Sequence, residues 1–393
     1  MFSWKEENVL HIDNNNDSND NNEDFHIQKK FEYGKFDKQL KEQGIVTYIS
    51  RLKPTQYLSI CNFYLNHGND HNDELFIVEP QFLDKISKLE TYTIQLIYND
   101  EIIGCVILFH FPVRILLHSN GEFSHGKLID NNKLCNVVHT SFLCIHKQHR
   151  HKGLGGILIR QIIEHGAKLI PNNMLLGIHI LQELKYNCPI IPLYDVDVKE
   201  SYNKLHKLLY DNSIQDCNDN IIYRKCNIHN DDELILIYNF WINQDNKQIM
   251  WYPSIDHFKL WCSIFDVYYV VENNINKTNN IIYMFCLFPI KILFGIQTYQ
   301  QGYITFQKFN DSILSYITQD ISRYQSIIIN ISYAIVEASL HHNITSLIIP
   351  DMNNFPVDVL IQLNATQNSN KSYFGTYNLN FVPNINSVAY PYF

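Results

Sequence analysis

The run Ser141-Phe-Leu-Cys-Ile-His-Lys147 passes at once into Arg150-His-Lys-Gly-Leu-Gly-Gly156 and then into Ile157-Leu-Ile-Arg-Gln-Ile-Ile163. An extended apolar segment, a turn of small residues and an apolar run at helical spacing predict a strand, a glycine-rich turn and a helix. Glycines let backbone N–H groups approach a ligand closely, and a helix N-terminus offers unpaired donors and partial positive charge to an anion. Arg150 and Lys152 add formal charge at the same place. Gly153 and Gly155 could merely end a strand, but flanking cations and a helix opening behind them favour phosphate binding.

Several classes are disfavoured by composition. At 393 residues the chain exceeds the roughly 250–300 residues of a single core, so two domains or two fused halves are expected. The net charge of −9 with 18% charged residues argues against a broadly basic nucleic-acid surface. The 9 cysteines are scattered singly without zinc spacing, so reduced buried thiols are expected and no metal site. No basic n-region with an apolar h-region opens the chain, and no apolar stretch reaches membrane-span length, which leads us to expect a cytoplasmic protein without an integral membrane segment, and a monomer.

Residues 13–24 (DNNNDSNDNNED) are acidic and low in complexity, and read as a flexible loop. Pro54 to Leu65 and Glu79 to Ile86 read as helices, Tyr92 to Tyr98 and Ile102 to Phe111 as a hairpin turning at Asn99-Asp100, with the second strand interrupted at Pro112. Cys135 to His146 is the next strand. From about Ile222 the pattern restarts, with helical runs at 231–241 and 256–265, a hairpin at 267–271 and 281–288, a long helix at 327–340 and a strand at 346–349. Helices, hairpin, strand and helix thus occur twice.

Arg150-x-x-Gly-x-Gly155 is the pyrophosphate pattern of the GNAT acyltransferases, and Phe142-Leu-Cys-Ile-His-Lys147 resembles the signature of the eukaryotic N-myristoyltransferases within that superfamily. Further similarities follow in order: Ser3-Trp4-Lys5, Asp73-Glu-Leu-Phe76, Ile103-Gly104 with Pro112, Phe258-Lys-Leu-Trp261, Tyr268-Tyr-Val-Val-Glu-Asn273 and Phe288-Pro289. The resemblance implies an α/β (α+β) fold of two tandem GNAT-like lobes around a saddle-shaped sheet. The lobe at 1–212 would bind acyl-CoA and the lobe at 213–393 the peptide.

By the same resemblance the Phe142 and Leu143 amides would form an oxyanion hole. Phe2, Ser3, Trp4, Phe142, Leu143, Cys144, Ile145, Arg150, His151, Lys152, Gly153, Leu154, Gly155 and Gly156 would hold myristoyl-CoA, and Asp73, Glu74, Phe76 and Ser141 would meet the peptide. The C-terminal carboxylate of Phe393 would be the base. The activity implied is transfer of a myristoyl group from acyl-CoA to the N-terminal glycine amine of proteins. An ordinary GNAT acetyltransferase and an acyl-CoA or peptide binder without turnover are the alternatives. Departures lie at His139-Thr140-Ser141, where the family has an asparagine in place of Ser141, and at Gly375-Thr-Tyr-Asn-Leu-Asn-Phe381, a reduced form of a glycine-rich signature.

Overall fold

The structure, a computed structural model of the chain, describes residues 40–68, 74–116, 132–169, 174–180, 190–210, 221–244, 247–273, 279–310, 312–313, 316–377, 386, 388–389 and 391. The low-complexity segment at 13–24 lies outside them. The chain divides into two compact units, residues 1–189 with 373–383 and residues 190–372 with 384–393.

In the first unit β1 (Ile45–Arg51) is followed by helix α1 (Pro54–His67), β2 (Glu74–Ile77) and helix α2 (Pro80–Ser87). Pro54 and Pro80 each occupy the first helical turn, where a missing N–H costs nothing. Gln56 Oε1 takes the Lys53 backbone N–H at 3.0 Å, securing the start of α1. β3 (Thr91–Tyr98) and β4 (Glu101–Leu116) form an antiparallel hairpin. Its turn residues Asn99 and Asp100 sit at φ 49° and 62°, the pair of left-handed residues that matches strand twist. β4 runs through Pro112, where the sequence predicts an interruption. Pro112 lies beyond Phe109, the last residue paired with β3, so its missing N–H costs no bond with that strand, and it still faces Asn136 of β5 (Asn132–Ile145).

β5 leads through the glycine turn into helix α3 (Leu154–Leu169) and then β6 (Met174–Ile180), which lies parallel to β5. Strand, helix and parallel strand form the crossover unit that joins neighbouring parallel strands. α3 buries Leu154, Ile157, Leu158, Ile159 and Ile162 against Ile94, Leu96, Ile103, Val106 and Leu108 of the sheet. Gly104 allows close packing here: a Cβ would stand 3.1 Å from Ile145 Cδ1 and 3.2 Å from Leu158 Cδ1, so those side chains would have to shift.

The second unit contains β7 (Ile190–Asp197), α4 (Val198–Tyr210), β8 (Ile221–Lys225), α5 (Asp231–Ile242), β9 (Ile249–Trp251), α6 (Ile255–Ile264), β10 (Asp266–Asn273), β11 (Asn279–Phe294) and β12 (Gln297–Phe309). α7 (Tyr316–Gln319), α8 (Ile321–His341), β13 (Ile344–Pro350), α9 (Val357–Gln362), β14 (Thr366–Tyr377) and β15 (Val388–Ala389) follow. Asn230, Ser254 and Asp320 cap α5, α6 and α8 by accepting a backbone N–H three residues on. The long apolar face of α8, with Ile327, Ile331, Ala334 and Ile335, covers Tyr268, Phe285, Leu287 and Leu347 of the sheet.

The order of the first unit recurs in the second. A strand, two helices with a short strand between them, three antiparallel strands, a helix and a parallel strand describe β1 to β6 and again β8 to β13, with β12 parallel to β13 as β5 is to β6. The last five residues of β14, Tyr373 to Tyr377, belong to the first unit and pair antiparallel with β6; β7 belongs to the second and pairs antiparallel with β13.

Candidate active site

The chemistry-bearing segment begins at a fault in the β4–β5 ladder. Cys105 faces Cys144 and Ile107 faces Ser141, so Val106 alone stands opposite both Phe142 and Leu143. Two residues against one is a β-bulge, which breaks the ladder locally and re-aims the backbone. Phe142 takes φ 57°, a left-handed conformation that costs a bulky residue roughly 1–2 kcal/mol. Packing holds it there. Its ring lies against Tyr64, Phe76 and Phe82 with centroids 6.3, 5.2 and 5.6 Å away. The Tyr64 hydroxyl donates to the Phe142 carbonyl oxygen. Leu143, by contrast, leaves 44% of its surface exposed.

Seven residues on, the glycine turn is built as the sequence predicts, with one difference in the use of Arg150. Its Nε donates to the Ile145 carbonyl at 3.0 Å, and its Nη2 donates to the His67 carbonyl at the end of α1. The guanidinium therefore ties the turn to β5 and α1. His151 and Gly153 follow at φ 60° and 81°, reversing the chain, and buried Leu154 anchors the start of α3 in the core. Gly155 and Gly156 sit in the first turn of α3. A Cβ at either would meet no atom within 4 Å, so these glycines are not demanded by packing and leave the helix N-terminus open. Open amides, a helix dipole and Lys147 and Lys152 nearby make a cradle for a phosphate.

Histidines surround the turn. His146 Nδ1 accepts the Gln148 N–H at 3.2 Å and caps the short 3-10 turn Lys147–His149, which occupies it structurally. The His67 ring lies tilted by 36° against His146 with centroids 3.8 Å apart, and the His149 ring lies 5.3 Å from that of His146. Burial, and then His146, Lys147 and Arg150, push the His67 imidazole down to about 4. The folded state therefore excludes a proton that the unfolded chain binds near pH 6.5. Stability from this site is complete above that value and is lost as pH falls toward 4. Urea midpoints measured at pH 7.5 and 4.5 are expected to fall more for the wild type than for His67→Phe, by an amount that solvent screening reduces.

The thiols here are not nucleophiles. Burial raises Cys144 and Cys105 to about 12 and Cys61 to about 11, keeping each protonated. Among the described residues no group of three His, Cys, Asp or Glu could hold a metal ion. No helix among them is long and apolar enough to cross a membrane.

Of the residues singled out in the sequence, Phe142 and Phe76 come into ring contact, and Cys144, Ile145, Arg150 and the glycines line up along one strand, turn and helix. Ser141 is buried next to the bulge, and Glu74 contributes backbone to β2. Phe2, Ser3, Trp4, Asp73 and Phe393 lie outside the described residues. Tyr64 and His67 were missed: the first is one aromatic in a helix of apolar residues, and the second carries no spacing that marks it.

The second unit repeats the bulge without the turn. Cys286 faces Phe306 and Leu287 faces Ile304, leaving Thr305 as an extra residue in β12. Residues 310–320, which follow β12, contain no Gly, Arg or Lys. The glycine-rich, basic turn is therefore found after the third antiparallel strand in one of the two similar units.

Comparison with known proteins agrees with this anatomy. Residues 57–194 match the Acetyltransferase (GNAT) family. A protein of Melanoplus sanguinipes entomopoxvirus named "Putative glycylpeptide N-tetradecanoyltransferase" is 24% identical over 216 residues, which cover 53% of this chain and 61% of that protein. N-myristoyltransferase from Saccharomyces cerevisiae, solved with bound myristoyl-CoA, superposes with a TM-score of 0.63 at 11% identity, covering 86% of this chain and 84% of the other. A tandem GNAT protein from the clavulanic acid biosynthesis pathway superposes with a TM-score of 0.52 at 8% identity, covering 85% and 97%. Residues 57–194 are thus similar to the GNAT family, and the chain as a whole shares the fold of N-myristoyltransferase and of a tandem GNAT protein.

Proposed function

We propose that the protein transfers a long acyl group, myristoyl first among them, from acyl-CoA to the N-terminal glycine amine of a protein or peptide. The observation that carries this reading is the spacing of two backbone devices in one unit: the bulge at Phe142–Leu143 and, a few residues later, the open helix N-terminus at Gly155–Gly156. A thioester whose CoA phosphates rest on the second presents its carbonyl toward the first. When the amine, its ammonium proton given up to a base, attacks, a C–N bond forms and the carbonyl oxygen gains negative charge; the C–S bond then breaks and the proton lost by the nitrogen goes to the thiolate, releasing CoA as the thiol. Backbone N–H groups aimed at that oxygen stabilise the intermediate, typically by about 10²–10³ in rate for each donor. With Cys144 raised to about 12, transfer is direct and no acyl-enzyme forms.

In this reading the first unit holds myristoyl-CoA and the second takes part in receiving the peptide. Phe76, in contact with Phe142, and Ser141, beside the bulge, would meet the peptide as well. Lys147 and Lys152 supply charge around the phosphates, and His151 lies in the same turn.

Arg150 and Lys152 separate binding from architecture. Arg150→Ala removes two ties to backbone carbonyls and is expected to lower stability by about 1–3 kcal/mol as well as weakening CoA binding. Lys152→Ala, at an exposed position, is expected to leave the melting temperature unchanged and weaken CoA about tenfold. Paired thermal denaturation and CoA titration check both.

The reading is tested by a single-turnover reaction of myristoyl-CoA with a peptide beginning in glycine, followed by mass spectrometry. An N-terminal myristoyl amide that resists hydroxylamine, and its absence from an N-acetylated control, are expected. Acylation of the blocked peptide, or hydrolysis of myristoyl-CoA alone, would refute it.

A further inference from the structure

We infer that Tyr64 is a positioning residue that sets the direction of the Leu143 amide toward the thioester carbonyl. The inference rests on the acyl-transfer reading above and assigns the oxyanion geometry to a side chain remote in sequence. Tyr64 lies on α1, is 4% exposed, and donates its hydroxyl proton to the carbonyl oxygen of Phe142. The Phe142–Leu143 peptide is planar and trans, so its C=O and N–H point in opposite directions. Fixing the carbonyl oxygen on Tyr64 therefore fixes the Leu143 N–H on the far side of the same plane, away from α1.

A bulge needs such a tie. With Phe142 and Leu143 standing against Val106 alone, the ladder does not determine this peptide's orientation, and rotation of the plane would swing the donor off the reacting oxygen. The Cys105 thiol is a second hydrogen-bonding neighbour of this hydroxyl, but burial keeps it protonated, and a neutral sulfur is a weak acceptor beside a backbone carbonyl oxygen. Burial raises the Tyr64 phenol well above its ordinary value, so it remains a donor at every working pH. The ring is clasped edge-on by Phe63 and Phe142, at 5.9 and 6.3 Å between centroids, which holds the hydroxyl in place.

Tyr64→Phe deletes the hydroxyl and keeps the ring. In single turnover with myristoyl-CoA and a glycine peptide, we expect the transfer rate to fall about 10- to 100-fold, with the Kd for myristoyl-CoA and the KM for peptide changed by no more than about twofold. A wild-type rate in this variant, or a loss carried entirely by Kd, overturns the inference.

A second readout does not need turnover. The chain contains two Phe-Leu steps, Phe82–Leu83 and Phe142–Leu143, so protein labelled with carbonyl-¹³C phenylalanine and ¹⁵N leucine gives two carbonyl–amide correlations. Tyr64→Phe is expected to move the Phe142 carbonyl, spare the Phe82 carbonyl, and abolish the Leu143 ¹⁵N shift that myristoyl-CoA induces in the wild type. An unmoved Phe142 carbonyl, or a Leu143 shift retained in the variant, overturns the inference. Should Tyr64→Phe not fold, the wild type decides: a Leu143 ¹⁵N resonance unaffected by saturating myristoyl-CoA overturns it, and a shifted one supports it. If the wild type binds myristoyl-CoA but transfers nothing, the acyl-transfer reading fails while these spectra still judge Tyr64.

Discussion

Myristoyl-CoA is expected to bind at least about 10³-fold more tightly than acetyl-CoA. Both share the nucleotide and pantetheine, which the glycine cradle would hold equally, so the difference reports the acyl chain alone. Each methylene buried against apolar side chains contributes about 0.8 kcal/mol, and burying about six more of them gives about 5 kcal/mol. The bulge is set in apolar surroundings, with the Tyr64, Phe76 and Phe82 rings packed against that of Phe142. Calorimetric titration of the two thioesters under one set of conditions provides the comparison. Equal affinities would return the protein to the ordinary acetyltransferases of the superfamily.

Gly155→Val and Gly156→Val are expected to weaken CoA about 100-fold or more while leaving stability within about 1 kcal/mol of wild type. The structure separates the two effects. A Cβ at either position meets no atom within 4 Å beyond its own chain neighbours and helix backbone, so there is space for a branched side chain to start, and the helix-propensity cost of valine relative to glycine is small or favourable. The same side chain would fill the space through which a phosphate reaches the first-turn amides, removing charge-assisted hydrogen bonds from several donors together. Thermal denaturation and CoA titration of each variant measure the two quantities. A valine variant that binds CoA normally would mean that the glycines serve only to open the helix.

The strand, turn and helix at 141–163 were legible because three signals coincide there: an extended apolar run, glycines beside cations, and a change to helical spacing. The recurrence of helices, hairpin and strand was legible for the same reason. β12, Gln297–Phe309, was harder to see, since its outer half is polar and its buried residues start only near Tyr303. The strand through Pro112 was underestimated because one proline removes one donor without opposing extended backbone on either side.

The site was legible as a line along the chain and not as a volume. Nothing in Tyr64 distinguishes it from a packing aromatic until the fold sets it under Phe142, and Arg150, marked by its charge, spends its donors on carbonyls that only the tertiary structure brings near. The bulge is invisible in sequence because it is a mismatch of register between two strands that each read as regular.

A co-crystal structure with a ketone analogue of myristoyl-CoA, in which a methylene separates sulfur from the carbonyl so that no transfer occurs, tests the central claim most directly. The account predicts phosphate oxygens within hydrogen-bond distance of the amides at Gly153 to Gly156, and the ketone oxygen on the amides of Phe142 and Leu143. Phosphates bound away from that turn, or a ketone pointing away from the bulge, would contradict it.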